Sequence, residues 1–198
     1  MPIWPLPMGW AIPTSLVEWL RTWRKEGNVP LDIIRHETPH QGIRPAGDRG
    51  RITMVIIHGD AGRTDNGTIS WIRDPASGVS YHYLIGRDGK VHQFVDENRR
   101  AWHAGTSSWL GRTGLNDCSV GVCLANDGSG QEGYRHEQYD SAGRLVAAIM
   151  ERHDIPLPMV RGHDEISVPM GRKTDPWAWF DWAHLYSRLG LWAAGRLP

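Results

Sequence analysis

Ile52-Thr53-Met54-Val55-Ile56-Ile57-His58-Gly59 is the stretch on which the reading of the fold turns. From Ile52 to Ile57 it is an apolar run without the polar-apolar alternation of a half-exposed strand, so it predicts a strand buried on both faces. Such a strand belongs in the middle of a sheet with cover on each side. His58 closes the run, at the C-terminal edge where loops open and polar side chains reach a cleft.

Outward from this strand, two more apolar runs, Tyr81 to Ile85 and Val91 to Val95, flank Arg87-Asp88-Gly89-Lys90. Asp-Gly between apolar runs is a strong hairpin signal, so these predict two antiparallel strands. Ser119 to Leu124 reads as a further strand. Tyr139, Ala142, Val146, Ile149 and Met150 recur at helical spacing through Glu137 to His153, and Ile69 to Arg73 suggests a short helix. A last helix is expected to start at Pro176, a residue suited to the first helical position, and to run towards Leu189. Strands mixed with helices, one pair antiparallel, predict an α/β fold: a single mixed sheet flanked by helices.

Towards the N-terminus, Leu16, Trp19, Leu20 and Trp23 predict an amphipathic helix over Ser15 to Lys25, with Ser15 and Glu18 spaced as a capping box. Between Gly27 and Gly50 no period is sustained, which reads as an irregular connection. Two parts follow: residues 1–50, a helix and extension too small to bury a core of its own and expected to dock on the rest, and residues 51–198, the main domain.

Lys+Arg and Asp+Glu are balanced at 22 each in 198 residues, so no global field draws nucleic acid or anionic lipid to the chain. No segment reaches the ~18 consecutive apolar residues of a membrane span, and Met1 to Trp10 lacks the basic and apolar regions of a signal peptide. The expectation is synthesis in the cytoplasm without a Sec signal, no membrane insertion and no nucleic-acid partner. Cys118 and Cys123, if on one strand, stand about 16 Å apart, too far for a disulfide, so free buried thiols are expected.

Ten histidines offer many possible ligands, and context singles out two. His58 ends the buried strand. His163 lies in the polar turn Arg161-Gly162-His163-Asp164-Glu165, and Asp175 follows twelve residues later. Two imidazoles and a carboxylate would give zinc three protein ligands and leave the fourth tetrahedral position to water, a catalytic rather than a structural arrangement. Each residue also has a plainer role: Asp175, just before Pro176, as a helix N-cap, His58 as a satisfied strand-end histidine, His163 as a turn residue. Spacing alone leaves both readings open.

The chain resembles the type 2 N-acetylmuramoyl-L-alanine amidases, from about Thr38 to Leu189. The resemblance is carried by ordered blocks: Thr38-Pro39-His40 with Arg44-Pro45; Val55-Ile56-Ile57-His58; Val79-Ser80-Tyr81-His82-Tyr83-Leu84-Ile85 with Asp88-Gly89; Ala101-Trp102-His103-Ala104-Gly105; Asn116 through Ser119-Val120-Gly121-Val122; and Gly162-His163 with Lys173-Thr174-Asp175-Pro176. It implies one Zn2+ held by His58, His163 and Asp175, catalytic positions at Tyr81 and Lys173, and a substrate cleft bordered by Trp102 and His103; Asn116, able both to donate and to accept, and Trp71, on the short helix, are further expected substrate contacts. The implied substrate is peptidoglycan or its muropeptides, cleaved between muramic acid and L-alanine by a monomeric enzyme. Where the bacterial branch of the family carries a catalytic Glu, this chain has Cys123. Tyr81 matches the phage and animal branches, and on that ground and the compact single-domain format a phage-type lysin acting on the wall is expected. The alternatives are a recycling amidase for soluble muropeptides in the cytoplasm and a non-catalytic peptidoglycan-binding module.

Overall fold

The computed structural model describes residues 31–190. The expected helix over Ser15 to Lys25 lies outside the described residues. In chain order the elements are β1 (Ile33–Arg35), β2 (Gln41–Ile43), β3 (Met54–Gly59), α1 (Asp65–Arg73), β4 (Tyr83–Ile85), β5 (Val91–Gln93), β6 (Arg99–Ala101), β7 (Ser108–Trp109), β8 (Arg112–Thr113), β9 (Ser119–Leu124), α2 (His136–His153), β10 (Val160–Gly162), α3 (His163–Ile166) and α4 (Trp182–Arg188).

Six strands form one mixed sheet in the order β1-β5-β4-β9-β3-β10, in which only β4 and β5 run antiparallel. The single mixed sheet with helices is therefore the observed architecture. β3 lies inside it, between β9 and β10, and all six of its residues are buried, as an apolar run without alternation requires. Its side chains still point alternately to two faces. Val55 and Ile57 join a core built with Tyr139, Ala142, Leu145, Val146 and Ile149 of α2 and Leu185 of α4. Met54 and Ile56 face the other way, towards Ala104, Leu115, Cys118 and Ile166. His58 shares their parity, so it projects on the side away from α2.

Local chemistry fixes the ends of the elements. Thr64 caps α1 by accepting the Gly67 amide at 3.1 Å. The β4–β5 turn closes through Gly89 at φ +77°, a conformation a side chain would strain, and a Cβ there would stand 2.8 Å from the Glu137 carbonyl oxygen. Cys118 and Cys123 are free and buried.

Two expectations need revision. The stretch before Gly50 is not wholly irregular: β1 adds a parallel edge strand beside β5 in the six-stranded sheet, and β2 pairs with β6 in a separate two-stranded sheet, so two strands already lie within residues 31–50. The last helix does not start at Pro176 but at Trp182, with the Asp181 carboxylate accepting from the His184 amide at 2.9 Å. Between them the chain makes two turns, Trp177 N–H to the Thr174 carbonyl and Phe180 N–H to the Trp177 carbonyl. The Asp175 side chain is not a cap, because it is committed elsewhere.

Candidate metal centre and the cavity it opens to

The sheet register brings the first two candidate ligands together. β3 and β10 run parallel with Ile57 opposite Gly162, so the next residues, His58 and His163, leave neighbouring strands side by side. His163 begins α3, and the Asp164 amide donates to the Asp175 backbone carbonyl at 2.9 Å, which ties the 174–176 segment to the same corner. As a result His58 Nδ1 and His163 Nδ1 are 3.1 Å apart, and Asp175 Oδ2 lies 3.2 Å from the first and 3.1 Å from the second.

That triangle fits a zinc ion. Ligand atoms at 2.0–2.1 Å from a tetrahedral metal stand about 3.3 Å from one another, close to all three sides found here. All three residues are buried. Burial lowers the His58 pKa to about 4, against the raising effect of Asp175, so the ring is neutral at pH 7 and offers a lone pair. Burial raises the Asp175 carboxyl, but the His163 and His58 side chains against its Oδ2 outweigh that effect and hold the group well below the usual carboxylate range. A second His-His-Asp group, His136, Asp140 and His184, is a poorer receptacle: Arg188 already occupies it, with Nε 2.8 Å from Asp140 Oδ1 and Nη2 2.6 Å from His136 Nε2.

The buried triangle borders a cavity of about 320 Å³ lined by His163 and Asp175 together with Tyr81, Trp102, His103, Arg172, Lys173 and Trp177. The Tyr81 ring lies 5.1 Å from that of His58. Burial, then the neighbouring Cys123 and Asp175, push its phenol well above the ordinary value, so it stays a protonated hydrogen-bond donor. The Cys123 thiol, opposite His58 in the β3–β9 register, is likewise pushed well up by burial. Neither group is poised as a base at neutral pH.

Of the expected substrate contacts, Trp102 and His103 border the cavity, while Trp71 and Asn116 are not among its lining residues. Trp71 is 54% exposed on α1. The Asn116 side chain is turned to backbone, its Oδ1 accepting from the His103 and Ala104 amides at 3.0 and 2.8 Å. Sequence reasoning overlooked Arg44. Its guanidinium donates to the carbonyls of Glu97, Asn116, Asp117 and Ser119 at 2.8 to 3.2 Å and so fixes the loop beneath the site. Arg44 precedes Pro45 in one of the family-like blocks, but nothing local marks an arginine that serves backbone carbonyls more than fifty residues away.

Two imidazoles and a carboxylate at a strand end, open on one side to a polar cavity, make up the donor set of a metal-dependent hydrolase. The sequence model of the N-acetylmuramoyl-L-alanine amidases matches residues 48–178, and the chain belongs to that family. It is 41% identical over 105 residues to the 1,6-anhydro-N-acetylmuramyl-L-alanine amidase AmpD of Citrobacter freundii, a stretch covering 53% of this chain and 54% of that one. The match thus spans about half of that relative. The structure of a selenomethionine AmpD derivative superposes with a TM-score of 0.68 at 30% identity, covering 82% of this chain and 97% of the other. AmiD from E. coli, solved with the substrate anhydro-N-acetylmuramic acid-L-Ala-D-γ-Glu-L-Lys, gives a TM-score of 0.63 at 29% identity, covering 78% and 68%.

Proposed function

We propose that this chain hydrolyses the amide between the lactyl group of N-acetylmuramic acid and L-alanine in soluble muropeptides, with one zinc ion held by His58, His163 and Asp175. The observation that carries the reading is the buried triangle of ligand atoms, with sides of 3.1 to 3.2 Å, bordering the cavity that Tyr81 and Lys173 also line. Zinc, when bound, supplies Lewis acidity and brings a water towards neutral pKa.

The protein's own groups do the rest. Water adds to the amide carbonyl carbon, the C–N bond breaks, and the water proton passes to the departing L-alanine nitrogen. The Lys173 ammonium, exposed in the cavity wall, stabilises the negative charge that develops on the carbonyl oxygen. Tyr81, protonated, orients water or substrate by donating a hydrogen bond.

Soluble muropeptide replaces the lysin expectation. That expectation rested on Tyr81 and the compact single-domain format, whereas the relatives carry the anhydro-muramyl compound in their name or in their bound substrate. The test is product analysis. Digestion of purified anhydromuropeptide is expected to release peptides with free L-alanine amino termini and no new reducing ends, faster than from intact sacculi. New reducing ends, or no cleavage of either material by zinc-loaded protein, would overturn the reading; preference for sacculi would restore the lysin.

A further inference from the structure

We infer that His103 and Ala104, held by Asn116 and Ser119, are positioning residues that fix the tautomer of both histidines of the metal triangle, so that each Nδ1 presents a lone pair to the same point. The inference rests on the metal reading above and concerns hydrogen-bond direction, which can be followed from one fixed end.

The fixed end is the Leu115 carbonyl, which can only accept. Ser119 Oγ lies 2.6 Å from it and therefore spends its single hydrogen there. Towards His103 Nε2, 3.3 Å away, the same oxygen is then left to accept, so His103 carries its proton on Nε2. The Nδ1 of a neutral His103 is consequently bare. It stands 3.0 Å from His58 Nε2, which must be the donor, and that leaves His58 Nδ1 unprotonated where it faces His163 and Asp175.

The second histidine is set by the next residue of the same segment. His163 Nε2 lies 3.2 Å from the Ala104 carbonyl oxygen, an acceptor only, so the proton is on Nε2 and the lone pair on Nδ1. One dipeptide thus stands behind both rings. It is itself held from below: Asn116 Oδ1 takes both amide hydrogens, and Gly121 leaves room for the His103 ring, since a Cβ there would come within 2.6 Å of it. Partners of this kind, one atom behind a ligand, raise its basicity and hold its orientation, and losing one typically weakens metal binding by about 10–100-fold.

The experiment measures zinc affinity of the 198-residue chain by competition with a chelator, independently of any substrate. His103→Leu is expected to bind zinc about 10–100-fold more weakly. His103→Asn, whose amide oxygen can accept where Nδ1 did, is expected to recover most of that loss, although both variants remove the same ring. Ser119→Ala, a one-atom change for use where His103→Leu does not fold, is expected to weaken binding in the same direction. Wild-type affinity in His103→Leu or in Ser119→Ala, or equal loss in the Leu and Asn variants, would overturn the inference. Failure of the wild-type chain to take up zinc would overturn the metal reading itself, which is a separate result.

Discussion

Replacing Lys173 by Met keeps most of the unbranched stem and removes the terminal ammonium, so it isolates what that group does. Lys173 is two residues from Asp175 in the cavity wall but supplies no atom to the ligand triangle. Zinc content should therefore be unchanged. Removing one preorganised donor from an oxyanion site costs about 2.7–4 kcal/mol in the transition state. Lys173 is exposed, and solvent in the open cavity screens its charge, which puts the loss at the low end, about 2.7 kcal/mol or 10²-fold in kcat. The ground-state amide carries little charge on its oxygen, so KM should move far less than kcat. The assay follows anhydromuropeptide cleavage chromatographically at saturating substrate, with zinc quantified in the same sample. A kcat within about threefold of wild type, or a loss that tracks missing zinc, would refute the assignment of Lys173 to the developing oxyanion.

Three further outcomes are expected. In metal-free protein, burial depresses His58 to about 4 and His82 to about 3, so between these values and 6.5 the unfolded chain binds more protons than the folded one. Stability is then fully present above pH 6.5 and is lost as pH falls through that window, by several kcal/mol at about 1.4 kcal/mol per unit per group; chelator-treated protein showing equal urea midpoints at pH 7 and pH 4.5 would contradict this. Arg87, with only 13% of its side chain exposed, holds Asp65 at 2.6 Å and Glu132 at 2.7 Å and also donates to the Gly62 carbonyl. Arg87→Ala leaves two half-buried carboxylates without their cation and should cost about 2 kcal/mol, the solvent left around them discounting the buried-pair figure, as read from thermal melts. Cys123→Ala should keep kcat within about threefold and leave its pH profile in place, because the thiol is held neutral; a tenfold loss with zinc retained would make Cys123 a proton carrier after all.

What could be read in the chain, and what could not, divides by the range of the interaction. The β3 strand, the Asp88-Gly89 hairpin, the Ser119–Leu124 strand and the long helix α2 are written in local pattern, and the structure places all four within a residue or two of where pattern puts them. The triangle is not local. It depends on a three-residue strand, β10, that follows Pro156 and Pro158, shows no run of its own and acquires meaning only when it pairs with β3, more than a hundred residues away in sequence. Asp175 was ambiguous for a related reason. An aspartate before a proline reads as a cap, and only the side chain's commitment to two distant histidines shows otherwise.

The same limit explains Asn116 and His103. A polar residue beside a cleft serves either a ligand or the buried amides and rings of its own scaffold, and composition does not separate the two. The separation comes from counting donors: two backbone amides, at His103 and Ala104, share one side-chain oxygen, and Asn116 supplies it. Once that oxygen is spent on the scaffold, and with Asn116 outside the cavity lining, its replacement should be felt first in how firmly the histidines are held and only afterwards in how substrate binds.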